Sequence, residues 1–181
     1  MTFIIEGPDH VGKTTVAREI LNLMVKDFPI ADLHHTSKPG TDQITLWWRE
    51  QLPSPPRPCV FDRLHLGALV YGKWLGLHDA PNVNAKTVER FQAWMQDEGH
   101  RPFVLLMTAD ERWLSQKLSS SPKDEMFDNA SILAANRHFK KCRSFADASF
   151  VCGNAGNALY HYPHVRKIEA WYAKWKEGWL T

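Results

Sequence analysis

The sequence predicts a three-layer α/β fold: one parallel sheet of five strands, helices on both faces and a short lid, within a single domain over residues 1–181. Three observations predict it. Short β-rich runs alternate with helical segments along the chain, the order a parallel sheet requires because its crossovers are helices. A glycine-rich loop joins the first run to the first helical segment. Neither flank of the proline-rich stretch at 53–58 could close a core alone, so that stretch reads as a connector and not as a domain boundary.

Thr2 to Glu6 is β-rich and stops at a glycine; Val16, Ile20, Leu23 and Met24 then fall on one helical face. Residues 31–37 can form a second strand, closed by Lys38-Pro39-Gly40, with a helix from Thr41 to Leu52 behind it. Pro53, Pro55, Pro56 and Pro58 forbid regular structure until residues 59–63, an apolar burst suited to a strand buried on both faces. Helices are expected at Leu66–Trp74 and Ala85–Asp97, and the clearest strand at 102–108. Glu111–Leu118 is helical, 119–128 is a polar loop that would be the lid, and Ile132, Ala135, Phe139, Cys142 and Ala146 mark another helix. Residues 149–153 supply the last strand. Val165, Ile168, Tyr172, Trp175 and Trp179 give a closing amphipathic helix.

Composition narrows the function. Apolar residues make up 44% and the formal charge is +2, so nothing favours an electrostatic partner such as nucleic acid or an anionic membrane. The first strand starts at Thr2, leaving no room for a signal peptide, and no apolar run approaches about 18 residues. Cys59, Cys142 and Cys152 lie far apart and read as small buried apolar residues in a reducing compartment. A cytoplasmic protein is expected. His34 and His35 point to opposite faces of a strand and no other histidine shows ligand spacing, so zinc is not expected.

Residues 7–15, GPDHVGKTT, satisfy G-x-x-x-x-G-K-[ST] through Gly7, Gly12, Lys13 and Thr14, with a strand before and a helix after. Two glycines let the backbone turn so that the N–H groups of the loop, through His10, Val11 and on to Thr15, point inward. The positive end of the following helix adds to the same anion site. The loop makes this a P-loop NTPase fold with ATP as phosphoryl donor: Lys13 reaches the β- and γ-phosphates and the Thr14 hydroxyl coordinates Mg²⁺.

FDRLH (61–65) ends a buried strand, where open α/β sheets place ligand groups. Asp62 is a second candidate for Mg²⁺, and the rigid fork of Arg63 suits a phosphate.

The loop Gly7-Pro8-Asp9-His10-Val11-Gly12-Lys13-Thr14-Thr15 resembles the G-x-D-x-x-G-K-T-T loop of thymidylate kinases. Asp62-Arg63 with Tyr71 resembles their D-R-Y…A-Y-Q segment, and Ser37-Lys38-Pro39-Gly40 their R-E-P-G turn. Small phage-encoded nucleotide kinases look similar over Asp62 to Gly72, with Gly67 where serine is usual. This resemblance implies that Asp9 contacts the acceptor sugar or a water beside it, that Arg63 binds the acceptor monophosphate, and that 119–128 closes over ATP. Lys13, Arg63 and Asp9 would be catalytic, and Lys38, Trp48 and Tyr71 would line the acceptor site. Members usually carry an arginine in the lid or loop; here Lys117, Lys123 and Arg137 are the candidate cations. A homodimer stays open by the same resemblance, and a phage origin would place the enzyme in the host cytoplasm.

Where relatives carry glutamate after the second strand, this chain has Lys38. A nucleoside hydroxyl needs a base there, whereas a monophosphate is already ionised and needs positioning. Phosphorylation of a (deoxy)nucleoside monophosphate, dTMP or a related pyrimidine nucleotide, to the diphosphate is the expected activity. A deoxynucleoside or polynucleotide kinase, with Asp9 or Asp32 as base, is the alternative, and a nucleotide switch that phosphorylates nothing is the second. Trp47, Trp48, Tyr71 and Trp74 could stack a base, and Arg49, Gln51 and His65 could read its edge.

Overall fold

The computed structural model describes residues 2–36, 44–72, 83–120, 127–153, 163 and 165–180. In chain order these form β1 (Thr2–Glu6), α1 (Lys13–Asp27), β2 (Asp32–His35), α2 (Ile44–Gln51), β3 (Cys59–Asp62), α3 (Leu66–Tyr71) and α4 (Ala85–Asp97). There follow β4 (Pro102–Ala109), α5 (Glu111–Ser120), α6 (Asn129–Lys141), a 3₁₀ turn (Cys142–Phe145), β5 (Ala148–Cys152) and α7 (Val165–Leu180). Five parallel strands lie in the order β2-β3-β1-β4-β5, so the chain winds outward from β1 in both directions. The structure is the three-layer P-loop fold the sequence predicts. Because β1 and β3 are neighbours, the loop after β1 and the residues after β3 emerge side by side at the carboxyl edge of the sheet.

Period-two alternation divides the core. Phe3 and Ile5 of β1, with Leu105 and Met107 of β4, face one side, where α1, α5 and α7 cover them. Ile4, Phe61, Val104 and Leu106 face the other, under α2, α3, α4 and α6. Both clusters are continuous sets of buried side chains, and each is apolar enough to fix the register: a one-residue slip would exchange the two faces.

Most elements fall where the sequence places them, and two differ. The helix expected to reach Ala146 ends at Lys141 and tightens into a 3₁₀ turn, in which Cys142 is still buried. That turn delivers Asp147, whose N–H donates to Val104 O (2.9 Å) and whose Oδ2 accepts from Val104 N (2.8 Å), anchoring the start of β5. Second, α5 runs on through Ser119 and Ser120, two residues the sequence gives to the lid. Of that segment, residues 121–126 lie outside the described residues, as do Lys38, Trp74 and Lys123. All three cysteines are free thiols in the buried core. Among the described residues no helix is long and apolar enough to cross a membrane.

Candidate active site

The loop after β1 folds as its glycines require. Gly7 has φ +148° and a Cβ there would meet the Met107 carbonyl oxygen of β4 at 2.0 Å, so no side chain fits. Gly12, at φ +82°, ends the loop in a left-handed conformation as the residue before α1. His10 is also left-handed, at φ +65°. No side chain caps α1 and its first turn holds no acidic residue, whereas Asn84 caps α4 and Asp128 caps α6. The first N–H groups of α1 are thus left open at the carboxyl edge of the sheet, where an anion would satisfy them.

Lys13 is 4% exposed and folds back to donate to Pro8 O at 2.5 Å. Burial pulls its pKa down to about 8, against the opposing pull of Asp62 and Glu6. The Thr14 hydroxyl donates to Asp62 Oδ2. Asp62 itself is buried, and its Oδ1 has no hydrogen-bond partner. An orphaned carboxylate oxygen beside a threonine hydroxyl is a hard-oxygen donor set, which fits Mg²⁺ with water completing its shell. The structure brings together both residues the sequence assigns to the metal.

Arg63 turns the chain out of β3 with φ +74°, a left-handed conformation rare for a side-chain-bearing residue. Its N–H donates to Ile5 O (2.9 Å) and its carbonyl accepts from the Thr36 hydroxyl (2.8 Å). The guanidinium crosses to Asp9 Oδ1, and its Nε is buried with no partner. Asp9 lies 3.8 Å from the Lys13 ammonium, and its backbone N–H and Oδ2 both meet the Tyr71 hydroxyl, at 3.3 and 3.4 Å. One carboxylate therefore holds both cations and the tyrosine. Tyr71 stacks on Phe127 at 4.8 Å, which ties this network to the first described residue beyond 121–126, within the stretch 119–128 that the sequence gives to the lid.

Other expectations meet a different environment. Trp48 is 0% exposed, packed on Phe91 (4.9 Å) and His65 (6.1 Å), so its assignment to an open acceptor site is corrected: the indole fills the core under α2. Arg49 lies over the Trp94 ring at 4.6 Å, beside a cavity of about 240 Å³ lined by Thr45, Thr87, Arg90 and Phe91. Asp32 cannot serve as a base, because it begins β2 at the opposite edge of the sheet and pairs with Arg57 at 2.5 Å. Arg137 makes a bidentate pair with Glu111 (3.0 and 2.7 Å) on the surface. Lys117 sits 6.0 Å over the Trp113 ring, within electrostatic reach of Cys152, whose thiol meets the loop carbonyl of Val11.

Three residues were given no part in the site by the sequence. His35, at the end of β2, meets Asp62 Oδ2 at 3.2 Å. Asn136 brackets Ala109, accepting from its N–H (2.8 Å) and donating to its carbonyl (2.9 Å), which docks α6 on the end of β4. Glu6, fully buried, accepts through Oε1 from the N–H groups of Leu64 (3.0 Å), His65 (2.7 Å) and Leu66 (2.9 Å). A glutamate directly before the loop glycine is a signal of sorts, since a charged residue ending a doubly buried strand needs an internal partner.

His65 carries a measurable consequence. Fully buried, it shares Nε2 with Gln92 Nε2 at 3.0 Å, while Nδ1 lies 3.7 Å from Glu6 Oε1. Because the Gln92 amide donates, Nε2 is the acceptor and Nδ1 carries the proton. Burial lowers its pKa from 6.5 to about 3. Between those values the unfolded chain binds a proton that the folded chain refuses, so this contribution is complete above pH 6.5 and is lost as the pH falls toward 3. Urea unfolding should show a loss of about 2 kcal/mol between pH 6.5 and 4.5 from this group, and His65→Gln should flatten that slope. An unchanged slope in the variant would assign the acid sensitivity elsewhere.

No protein-family model matches the chain, and no curated protein matches it. Solved structures do. The protein is similar to YorR of Bacillus subtilis, solved in complex with phosphorylated GDP: the TM-score is 0.65 at 17% identity, covering 98% of this chain and 96% of that one. It is similar to deoxyadenosine kinase from M. mycoides with bound dATP, with a TM-score of 0.52 at 13% identity, over 97% of this chain and 100% of that one. It is also similar to polyphosphate kinase 2 from Arthrobacter aurescens TC1, with a TM-score of 0.51 at 16% identity, over 99% of this chain and 65% of that one. The fold is thus shared with two named kinases and a nucleotide-bound protein.

Proposed function

We propose that the protein transfers the γ-phosphoryl group of ATP to a nucleoside monophosphate, with dTMP or a related pyrimidine deoxynucleotide as the favoured acceptor. One observation carries this reading: an open phosphate loop with its buried lysine faces a strand-end arginine across a single aspartate. The loop supplies amides and an ammonium for one set of phosphates. The arginine, with Nε buried and unsatisfied, supplies a fork for a second anion. Two cationic centres on either side of a reaction line suit a donor and an acceptor that are both anionic. The likeness to a deoxyadenosine kinase and a polyphosphate kinase supports phosphoryl transfer as the class of chemistry.

In this mechanism the loop amides and Lys13 hold the β- and γ-phosphates and take up charge as the γ-phosphoryl group moves. Thr14 and Asp62 would hold Mg²⁺, which neutralises charge on the β- and γ-oxygens when bound. Arg63 exchanges its contact with Asp9 for the acceptor phosphate, freeing Asp9 to accept from the acceptor's sugar hydroxyl. Lys38 would add a second positive charge on the acceptor side, and Lys123 or Lys117 one on the donor side. The ionised acceptor oxygen attacks without a base.

A nucleoside hydroxyl is the second reading. It is favoured by the His35–Asp62 pair at the end of β2, which places a proton-accepting ring beside the site. Polynucleotide ends would fall in the same class. A screen of the common nucleosides and monophosphates with ATP and Mg²⁺, reading ADP and identifying products, decides among the readings. Diphosphate formed from a pyrimidine monophosphate is the expected result. Turnover of nucleosides alone would transfer the case to the second reading, and release of ADP with inorganic phosphate alone would make the protein a nucleotide switch.

Arg63→Ala is expected to raise the KM for the monophosphate about 100-fold while KM for ATP moves less than about threefold, since it removes a charge-assisted fork from one substrate only. Arg63→Lys should rescue poorly, because an ammonium cannot reproduce the fork. Steady-state kinetics with each substrate varied in turn read the difference.

A further inference from the structure

We propose that Glu6 is a positioning residue for the acceptor: its buried carboxylate clamps residues 64–66 to the end of β1 and so holds Arg63 in the left-handed turn from which the guanidinium faces the phosphate loop. The proposal rests on the reading of Arg63 as the grip on the acceptor phosphate. The turn at Arg63 is a conformation that costs on the order of 1 kcal/mol or more for a residue with a Cβ, and it persists because its surroundings over-determine it. On the amino side its N–H is taken by Ile5 O at 2.9 Å, and its own carbonyl is taken by the Thr36 hydroxyl at 2.8 Å. On the carboxyl side the next three amides all converge on Glu6 Oε1, within 2.7–3.0 Å.

The three amides run from the loop into the cap (His65) and first residue (Leu66) of α3, and buried amides there need an acceptor. Glu6 meets the need from a different strand, so the fixed point of the acceptor turn is the residue immediately before Gly7. Phosphate loop and acceptor turn thus hang from Gly7 and Glu6, adjacent residues at the end of β1. Such a carboxylate is costly to keep: it is completely buried and its Oε2 has no hydrogen-bond partner. Burial raises its pKa, while the three amide bonds and the Lys13 charge pull the other way. A merely apolar need at this position would be met better by leucine, as it is one strand away at Leu106, the register partner of Glu6 on β4. What leucine could not supply is the reach of an oxygen to residues 64–66.

Two substitutions separate reach from charge. Glu6→Asp keeps the charge and withdraws the oxygens by one methylene, whereas Glu6→Gln keeps the reach and removes the charge. With the acceptor identified by the screen above, the readouts are KM and kcat for that acceptor and the Kd of ATP by calorimetry. Glu6→Asp is expected to raise acceptor KM about tenfold or more with the ATP Kd within about threefold of wild type; Glu6→Gln should stay within about threefold on both, at some loss of thermal stability. The reverse pattern, both variants at the wild-type acceptor KM, or a parallel loss of ATP affinity in Glu6→Asp would each overturn the clamp. If Glu6→Asp does not fold, Thr36→Val loosens the same turn from its other side: a raised acceptor KM supports the proposal and an unchanged one overturns it. Wild-type turnover is the control. A wild-type protein that phosphorylates no acceptor refutes the reading of Arg63, whereas normal turnover with an indifferent Glu6 refutes the clamp alone.

Discussion

Lys13→Ala is expected to lower kcat/KM for phosphoryl transfer by a factor on the order of 10²–10³ while leaving the melting temperature within a few degrees of wild type. The two halves have one cause. In the free protein Lys13 is a nearly buried ammonium whose pKa burial has brought to about 8, stabilised by Pro8 O at 2.5 Å and the Asp9 carboxylate at 3.8 Å. A buried charge that is only partly compensated adds little to folding, so removing it removes a cost along with its bonds. With a triphosphate in the loop, the same ammonium meets oxygens whose negative charge grows during transfer, and nothing else on the described donor side replaces it. Arg137 is engaged with Glu111, and Lys117 lies over the Trp113 ring. Lys13→Arg should not restore the rate, because a planar fork does not reproduce the compact point charge of an ammonium. A Lys13→Ala protein turning over at the wild-type rate would remove the loop from the chemistry.

The fold was legible because its signals are local and periodic. Each of the five strands is bounded by turn chemistry or proline, and alternation on β1 and β4 separates the two cores residue by residue. The loop was legible because glycine and lysine spacing is a backbone requirement, and the positive φ values at Gly7 and Gly12 are what those glycines permit. What stayed hidden depends on sequence-distant partners. Glu6 and residues 64–66 are about sixty positions apart, and only the β1–β3 pairing makes them neighbours. Asp9, Tyr71 and Arg63 are similarly joined by topology. Trp48 was misread for a related reason: an aromatic residue near a cleft and one beneath it have the same helical spacing, and only the packing of α2 against Phe91 and His65 distinguishes them. His35 was set aside as a zinc ligand, and its contact with Asp62 follows from the parallel pairing of β2 with β3.

Gly7→Ala is expected to be strongly damaging, lowering stability by about 4 kcal/mol and the melting temperature by roughly 10 °C. Two penalties coincide there. A φ of +148° is a conformation L side chains rarely adopt, and the added Cβ would sit 2.0 Å from a backbone oxygen, Met107 O, which cannot rotate away as a side chain could. Relief requires β1 and β4 to part or the loop to swing outward. Either movement takes the loop amides off the position where they converge, so the variant should also lose the stabilisation that ATP is expected to give the wild type by binding the folded state. Gly99→Ala is the control, since Gly99 is left-handed too, at φ +78°, but has nothing within 4 Å of the added Cβ. It should cost about 1 kcal/mol and leave ATP protection intact. Thermal melts of both variants with and without ATP separate backbone strain alone from strain that displaces the loop. A Gly7→Ala protein that melts within about 3 °C of wild type and is still protected by ATP would show that the loop can bind phosphate from another conformation.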